Sequence, residues 1–178
     1  MNRTSLGLDL STAATGVVLL RETPEGPPVT LSAYEIKPKG LKGIALRRTI
    51  VTEIMQSVHA LKPDVIVLEG YGLNLKNASA IVPLVELGGL MRFCLHIDGL
   101  EWFAPTPGEC KKFATGKGNS PKDVVMMHVL KRWKYEPATN NVADAYVCAA
   151  MGLAKHEALA GLTKDMASVI SGMAALSN

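Results

Sequence analysis

The chain has 178 residues, the size of one domain and enough to bury a substantial core. Hydrophobic residues make up 48% and charged residues 20%, which is typical of a globular protein, and no apolar run reaches the ~18 residues of a membrane-spanning helix. The first residues lack the apolar segment of a secretion signal, so the sequence predicts a cytoplasmic protein without a membrane partner.

Charge is distributed unevenly along the chain. The net charge is only +3, but the segment 110–135 carries seven basic residues and a single acid, a local charge of +6. Such a segment predicts a surface that follows phosphates or, equally, a helix face in contact with solvent.

Cysteine usage excludes two kinds of site. Cys94, Cys110 and Cys148 lie far apart and form no CxxC pair. An odd number of scattered thiols in apolar surroundings favours buried, reduced side chains over a disulfide framework or a zinc site.

The first half of the chain predicts three strands, a helix and a fourth strand. Residues 5–10 and 16–20 are short apolar runs on either side of a turn, and Val29–Ile36 alternates apolar and polar residues. From Gly43 to Leu61, apolar residues recur at helical spacing. Residues 64–69 form an apolar run that ends in an acid, as a buried strand reaching a site would.

The second half predicts helices around one short strand. Ala78–Ile97 is helical, and residues 100–104 are a candidate fifth strand. Residues 106–109 read as a capping box with proline at the first helical position, and residues 120–123 carry the same start signal with aspartate in third place. A last helix covers residues 141–156. Together these elements predict an α/β fold with a mixed five-stranded sheet flanked by helices.

Three isolated acids interrupt apolar runs in three different elements: Asp9, Glu69 and Asp144. Each would be costly to bury without a positive partner. Magnesium prefers oxygen ligands, so carboxylates that converge from separate elements suit one or two such ions. Two ions ~4 Å apart can activate water on one side of a phosphodiester and stabilise the leaving oxygen on the other.

Each acid also has a simpler explanation. Asp9 could form an Asx turn with the residues that follow it, and Glu69 could mark the point where a strand reaches solvent. Asn141 could be the N-cap of the last helix, with Asp144 three residues on. These explanations account for the acids singly, but they leave unexplained why three occur in this order.

Most of the sequence resembles the RuvC family of RNase H-like nucleases, which cut Holliday junctions. Residues 7–16 (GLDLSTAATG) resemble the family's first strand and turn, and residues 64–69 (DVIVLE) resemble its strand with the catalytic glutamate. Residues 111–122 (KKFATGKGNSPK) resemble a segment with two lysines around a Gly-x-Gly loop, and residues 141–145 (NVADA) resemble the C-terminal acidic motif. The order of strands and helices is that of the RNase H fold.

The resemblance implies the roles of individual residues. Asp9, Glu69, Asn141 and Asp144 would bind two Mg²⁺ ions, which Mn²⁺ would replace, and no nucleotide cofactor is implied. Lys111 and Lys122 would lie near the scissile phosphate and act in catalysis with the three acids. Further DNA contacts are predicted at Tyr71, Lys76, Asn77, Lys112, Gly116, Lys117, Gly118, Lys131 and Arg132.

Two positions depart from the family pattern. The C-terminal motif often has an acid where this chain has Asn141, whose amide oxygen can coordinate a cation without adding charge. This Asn-x-x-Asp version looks more like phage-encoded members. Cellular members have a junction-stacking aromatic residue where this chain has Gly72, between Tyr71 and Leu73.

The implied activity is magnesium-dependent cleavage of branched DNA, with paired symmetric nicks that resolve Holliday junctions. Because one chain holds one site, paired cuts predict a homodimer. Its interface is expected on the helix Ala78–Ile97, at Leu84, Leu87, Gly88, Gly89 and Met91. Residues 1–158 would form the nuclease domain and residues 159–178 an Ala-rich helical tail.

Three other functions stay open at the level of sequence. A debranching nuclease with broader activity on branched or flap DNA would use the same site. A lobe of an actin-like or sugar-kinase-like ATPase would begin with a similar Gly-x-Asp strand, although such proteins need two lobes. A DNA-binding module without catalysis would have no use for three acids. Branched DNA and ATP, each supplied with magnesium, would separate these functions.

Overall fold

The computed structural model describes residues 3–72 and 78–176, which form one sheet with helices on both faces. The strands are β1 (Thr4–Asp9), β2 (Thr15–Arg21), β3 (Val29–Ile36), β4 (Val65–Leu68) and β5 (Trp102–Phe103). The helices are α1 (Gly43–Leu61), α2 (Ala78–Ile97), α3 (Pro107–Thr115), α4 (Lys122–Trp133), α5 (Asn140–Lys155) and α6 (Lys164–Gly172). Within these residues, no helix is long and apolar enough to cross a bilayer.

The predicted mixed five-stranded sheet is confirmed, with the strand order β3-β2-β1-β4-β5. The first three strands pair antiparallel, and β4 pairs in parallel with both β1 and β5. The central strands β1 and β4 are buried on both faces, which explains why their sequences are nearly continuous apolar runs. The edge strand β3 alternates because one of its faces meets solvent.

The helix boundaries follow the local start signals except at one position. Helix α3 begins with the predicted capping box, in which Glu109 N donates to Thr106 Oγ1 (3.3 Å) and Thr106 N donates to the Glu109 carboxylate (2.7 Å). The predicted cap at Ser120 is wrong. Pro121 is the N-cap of α4, and the Ser120 hydroxyl lies 2.7 Å from Thr115 Oγ1 instead. Because its hydroxyl is hydrogen-bonded to a residue at the end of α3, Ser120 does not cap α4.

The two faces of the sheet have cores of different composition. On one face, α5 crosses β1, β2 and β4, and the buried residues of this helix are mostly small ones such as alanine. On the other face, α1 and α2 pack through large aliphatic side chains of leucine, isoleucine and methionine. The first core also contains a group of stacked aromatic rings: Phe113, Trp133, Tyr135 and Tyr146.

Helix α5 approaches the sheet at backbone distance. A Cβ added to Gly7 would overlap the carbonyl oxygen of Ala145, and one added to Gly16 would overlap the carbonyl oxygen of Asn141. Backbone atoms cannot move aside as a flexible side chain can. The position of α5 on β1 and β2 is therefore fixed closely.

Most of the α2 residues that were expected to form a dimer interface face the protein's own core, so the prediction is wrong for these residues, whereas Gly89 is exposed. Leu87 and Met91 are fully buried, and Leu84 is half-buried against the same core. The space beside Gly88 is filled by the Tyr71 ring. Large apolar side chains are instead exposed on the outward face of α2, namely Val82, Val85, Phe93 and Ile97.

The segment after α5 packs onto the rest of the structure. Four apolar side chains in and after α6 are buried in the α5-side core: Met166, Val169, Ile170 and Met173. Lys155 Nζ donates to Met173 O (2.7 Å), and Leu176 N donates to Trp102 O of the edge strand β5 (3.1 Å). The Ala-rich segment thus contributes to a core that it shares with the sheet and the preceding helices.

The cysteines are free thiols. Cys110 and Cys148 are buried with their Sγ atoms 3.9 Å apart, and Cys94 is half-buried. Cys110 and Cys148 are thus buried as predicted, whereas Cys94 is only partly so.

Candidate active site

Asp9 and Glu69 lie side by side where two parallel strands end. The β1–β4 register pairs Leu8 with Leu68, and Glu69 N donates to Leu8 O (2.8 Å), so the next residue of each strand carries its carboxyl group to the same place. The two carboxyl groups are close enough for each to shift the pKa of the other. The turn after β1 is held by Ser11, whose Oγ accepts from Ala13 N (3.2 Å), and it needs no Asx turn from Asp9.

Asp144 reaches the same place from the first turns of α5. Thr139 is the N-cap of this helix, and its side chain accepts a hydrogen bond from Val142 N (3.2 Å). Asn141 therefore lies inside the helix, and the alternative that it caps α5 is wrong. Residues three apart share a helix face, so Asn141 and Asp144 lie on one side of α5.

The three acids form one electrostatic group. Burial raises the pKa of Asp9, and the nearby Glu69 and Asp144 carboxylates raise it further. Burial and then the charge of Asp144 raise the pKa of Glu69. Burial likewise raises the pKa of Asp144, against the opposing pull of Lys122 and Lys111. Asp9, whose pKa is raised both by burial and by two neighbouring carboxylates, lies where negative charge is incompletely compensated.

Two lysines supply part of that charge. Lys122 Nζ lies 3.5 Å from Asp144 Oδ2, and the Lys122 side chain is 55% exposed. Lys111 is half-buried on α3 and is close enough to lower the pKa of both Glu69 and Asp144. The structure thus brings together the three acids and the two lysines that the sequence singled out.

The Gly-x-Gly loop follows the end of α3 and is held in shape by hydroxyl groups. Gly116 ends the helix with φ 85°, a left-handed conformation that favours glycine. Thr115 Oγ1 and Ser120 Oγ lie 3.1 and 3.0 Å from Lys117 O, within hydrogen-bond distance. Gly116, Lys117 and Gly118 are all exposed, so the loop is accessible to a ligand.

Asn141 has a partner that the sequence did not reveal. Its Nδ2 donates to Glu35 Oε1 on β3 (2.8 Å), and Glu35 Oε2 pairs with Lys37 Nζ (2.5 Å). The Glu35 side chain is only 10% exposed. Burial raises its pKa, but hydrogen bonds from Lys37, Asn141 and Thr139 outweigh this and leave the pKa below its usual range. An acid on an alternating edge strand looks like an ordinary solvent-facing residue, and only the tertiary contact distinguishes it.

The other predicted DNA-binding residues occupy different environments. Tyr71 packs under the Arg92 guanidinium (4.4 Å from the ring centre) and donates through its hydroxyl to Val85 O (3.2 Å). Arg132 is half-buried, and its Nη1 lies 3.1 Å from Met166 Sδ. Lys131 is exposed and Lys112 is half-buried. Lys76 and Asn77 lie outside the described residues.

The donor set suits a hard divalent cation, although the side chains are not arranged around one. Within residues 3–72 and 78–176, no three acidic, histidine or cysteine side chains stand close enough together to hold an ion as they are placed. Asp144 is instead paired with Lys122, whose Nζ lies 3.5 Å from Asp144 Oδ2. The fit is chemical: Asp9 and Asp144 are buried and Glu69 is half-buried, and carboxylate oxygens are the donors that magnesium prefers.

Sequence comparison identifies one related protein with a known activity. Crossover junction endodeoxyribonuclease RuvC of Chlamydia muridarum is 25% identical over 157 residues, which span 81% of this chain and 87% of that protein. No family model matches the chain.

Solved structures share the architecture. The structure of Thermus thermophilus RuvC matches with a TM-score of 0.69 at 17% identity and covers 87% of this chain and 97% of its own. Thermus thermophilus RuvC in complex with Holliday junction substrate matches with a TM-score of 0.66 at 16% identity, over 82% of this chain and 90% of that one. The yeast mitochondrial Holliday junction resolvase matches with a TM-score of 0.58 at 12% identity, over 82% of this chain and 75% of that one. The expected RNase H-like fold is therefore confirmed.

Proposed function

Because the chain is RuvC-like in sequence and in fold, we propose that it is a structure-specific endonuclease that resolves Holliday junctions by paired, symmetric nicks. The observation that carries this proposal is the convergence of Asp9, Glu69 and Asp144 in one group, with Lys122 beside it. A group of buried acids is costly for the fold but suits metal-assisted cleavage of a phosphodiester. The choice of substrate comes from the relatives, one of which was solved with a Holliday junction.

We infer that Asp9, Glu69 and Asp144 hold two Mg²⁺ ions, for which Mn²⁺ can substitute, and that Asn141 is an uncharged fourth ligand. Bound there, the ions would activate a water molecule and stabilise the leaving oxygen. With all three acids ionised, the protein offers three negative charges to four positive ones. The phosphate of the substrate supplies further negative charge, which would couple cation binding to DNA binding.

The two lysines are proposed to act on the transition state. Lys122 is exposed enough to turn from Asp144 towards a phosphate, where its ammonium group would stabilise developing negative charge. Lys111 has less freedom because it is half-buried, and it would add a fixed positive charge. Neither lysine needs to accept or donate a proton in this scheme.

The exposed Gly-x-Gly loop and the basic segment would bind the DNA backbone. Backbone N–H groups at Gly116 and Gly118 can approach phosphates closely because no side chain intervenes. Lys117 and Lys131 are exposed and free to follow the backbone, and Lys112 is half-buried. Because Arg132 packs against Met166, we expect its contribution to affinity to be smaller than that of Lys131.

A homodimer would place two such sites on one junction. We propose that it forms through the outward face of α2, since Phe93 is 63% exposed and Ile97 is 67% exposed there. Phe93→Glu should give a monomer by sedimentation, whereas Met127→Glu on α4, which changes a side chain 40% exposed, should not. A wild-type protein that stays monomeric at micromolar concentration, with and without DNA, would exclude paired cutting.

Broader activity on branched or flap DNA is a second candidate, and one observation favours it. The position expected to carry a junction-stacking aromatic residue is Gly72, and the neighbouring Tyr71 ring is engaged with Arg92. No aromatic ring among the described residues of this loop is therefore free to stack on a junction. Cleavage of a flap as fast as of a four-way junction would establish this broader specificity.

The central experiment measures cleavage and binding separately. Asp9→Asn, Glu69→Gln and Asp144→Asn should each nearly abolish magnesium-dependent cleavage of a synthetic four-way junction and leave its binding in calcium largely intact. Asp64→Asn is the matched control. Asp64 precedes β4 while Glu69 follows it, and its carboxylate accepts from Thr4 N (2.7 Å), away from the site. The control should cut at the wild-type rate.

Two results would count against the proposal. A variant of any of the three acids that cuts at the wild-type rate in saturating magnesium would remove that residue from the ligands. Magnesium-dependent ATP hydrolysis without junction cleavage would replace the nuclease with an ATPase.

A further inference from the structure

One line of residues crosses the sheet from the proposed metal site to its edge. Asp9 on β1 pairs with Gly16 on β2, and Gly16 pairs with Glu35 on β3. Directly opposed residues of neighbouring strands point to the same face, so the side chains of Asp9 and Glu35 project on the same side of the sheet. Between them Gly16 has no side chain, and the backbone of Asn141 occupies that space.

Asn141 thus stands between two sets of acids. On one side is Glu35, which accepts from Asn141 Nδ2 at 2.8 Å. On the other side are Asp9 and, one helical turn along α5, Asp144. A primary amide has one oxygen and one nitrogen, and only the nitrogen can donate.

Glu35 is held firmly in place. Its second oxygen is paired with Lys37, and its side chain is 10% exposed. A carboxylate in an ion pair only accepts hydrogen bonds, so it selects the nitrogen of the Asn141 amide and turns the oxygen away.

We propose that Glu35 is a positioning residue of the proposed metal site, which orients the Asn141 amide so that its oxygen faces the cation held by Asp9 and Asp144. The proposal rests on the metal-dependent function proposed above. It also explains why an amide suits position 141. An aspartate there would place a second carboxylate against Glu35 at hydrogen-bond distance, and the like charges would repel.

A charge exchange between the two positions tests this role. Glu35→Gln and Asn141→Asp are made singly and together, with Glu53→Gln on the exposed face of α1 as a control. Binding of Mn²⁺ and Mg²⁺ to the protein without DNA is measured by calorimetry and by the metal-dependent rise in melting temperature. Circular dichroism checks that each variant is folded.

We expect the effect of Glu35→Gln to change sign with the residue at 141. With Asn141 in place, loss of the acceptor frees the amide to turn, and metal binding weakens about three- to tenfold, as expected for loss of one hydrogen bond. With aspartate at 141, the side-chain amide introduced by Glu35→Gln can donate to one oxygen of that aspartate. The second oxygen of the aspartate is then held towards the cation. There the same substitution should strengthen binding by a similar factor. Asn141→Asp alone should bind metal no more tightly than wild type.

The outcomes separate this role from a structural one. If Glu35 only ties β3 to α5, Glu35→Gln will lower the melting temperature equally in both backgrounds and leave metal binding unchanged, and the proposal is then wrong. The proposal also fails if Asn141→Asp alone binds metal more tightly than wild type. If neither protein that carries Glu35→Gln folds, the Asn141→Asp variant by itself still tests the proposal. A wild-type protein that binds no divalent cation, either alone or with a four-way junction bound, would instead refute the metal-dependent function itself.

Discussion

Helix α5 and the α1–α2 pair cover opposite faces of the same sheet in different ways. Against α5 the strands present Gly7 and Gly16, where helix and sheet touch through backbone atoms, beside larger side chains such as Val65 and Val67. Against α1 and α2 the strands present Leu6, Leu8 and Ile66, which interlock with large side chains of the helices. Interlocked side chains can repack around a change, whereas backbone in contact with backbone cannot.

This difference coincides with where the chemistry lies. Asp144 and Asn141 belong to α5, and Asp9 belongs to the strand on which α5 rests. A catalytic group needs placement to within ~0.5 Å, and a contact through small residues gives that without depending on side-chain rotamers. The opposite face carries none of the proposed ligands and can be built from adaptable side chains.

Substitution of a contact glycine should have the largest effect. Gly7→Ala places a methyl group into Ala145 O, and we expect little folded protein, a loss beyond the ~1–3 kcal/mol typical of overpacking. Gly89→Ala on α2 is the control, since its new Cβ would meet nothing within 4 Å, and it should gain up to ~1 kcal/mol in helix propensity. Denaturant unfolding measures both. A Gly7→Ala protein within ~1 kcal/mol of wild type would show that α5 can shift.

Substitutions on the α1–α2 face should be milder and graded. Leu87→Ala removes a fully buried side chain and should cost about 2–5 kcal/mol, whereas Leu87→Met should cost less than ~1.5 kcal/mol. Both proteins should cut DNA at the wild-type rate per folded molecule, because this face does not position the acids. Loss of cleavage in a fully folded Leu87→Met protein would show that the α1–α2 face also positions the acids.

The acids should make the α5 side pH-sensitive in the absence of metal. The pKa of Asp9 and that of Glu69 are raised in the folded state, so the folded protein binds more protons than the unfolded chain above about pH 4. Stability in a chelator should therefore fall as the pH rises from about 4 towards the raised pKa values. Asp9→Asn should flatten this fall and stabilise the protein at pH 8 by on the order of 1–2 kcal/mol, since one pKa unit corresponds to ~1.4 kcal/mol. Melting temperatures at pH 5 and pH 8 provide the measurement, and equal slopes for both proteins would contradict it.

Two threonine N-caps give the smallest and most selective comparison. Thr139→Ala and Thr163→Ala each remove a side chain that accepts one backbone N–H, and each should cost ~1 kcal/mol. Only Thr139 begins the helix that carries Asn141 and Asp144. We therefore expect the magnesium requirement for cleavage to rise in Thr139→Ala and to stay unchanged in Thr163→Ala. Equal magnesium curves would mean that the first turn of α5 is held by the sheet alone.

Features with a local signal were predictable from the sequence. The α1 boundaries, the Thr106 capping box and the apolar strand before Glu69 depend on neighbouring residues, and the structure has them where the pattern indicates. The three acids stood out because each interrupts an apolar run, and they prove to lie together.

Features that depend on distant contacts were not predictable. Helix α2 is apolar on nearly all sides, so its spacing could not show that Leu87 and Met91 face inwards while Phe93 faces out. Ser120 matches a capping pattern, but its hydroxyl is taken by Thr115, a partner in the preceding helix. The role of Glu35 depends on its hydrogen bond with Asn141, which lies 106 positions later in the chain, so no local pattern could indicate it.

The pairing of β1 with α5 also has a consequence for when the protein becomes active. Helix α5 rests on β1 and β2, yet more than 100 residues separate them in the chain, and synthesis at ~5–20 residues per second delays their meeting by several seconds. Contacts this distant in sequence also form late in folding because a long loop must close first. Until α5 arrives, Asp9 has neither Asp144 nor Asn141 beside it. A nascent or partly folded chain should therefore be unable to cut DNA. Only the completely folded protein would have nuclease activity.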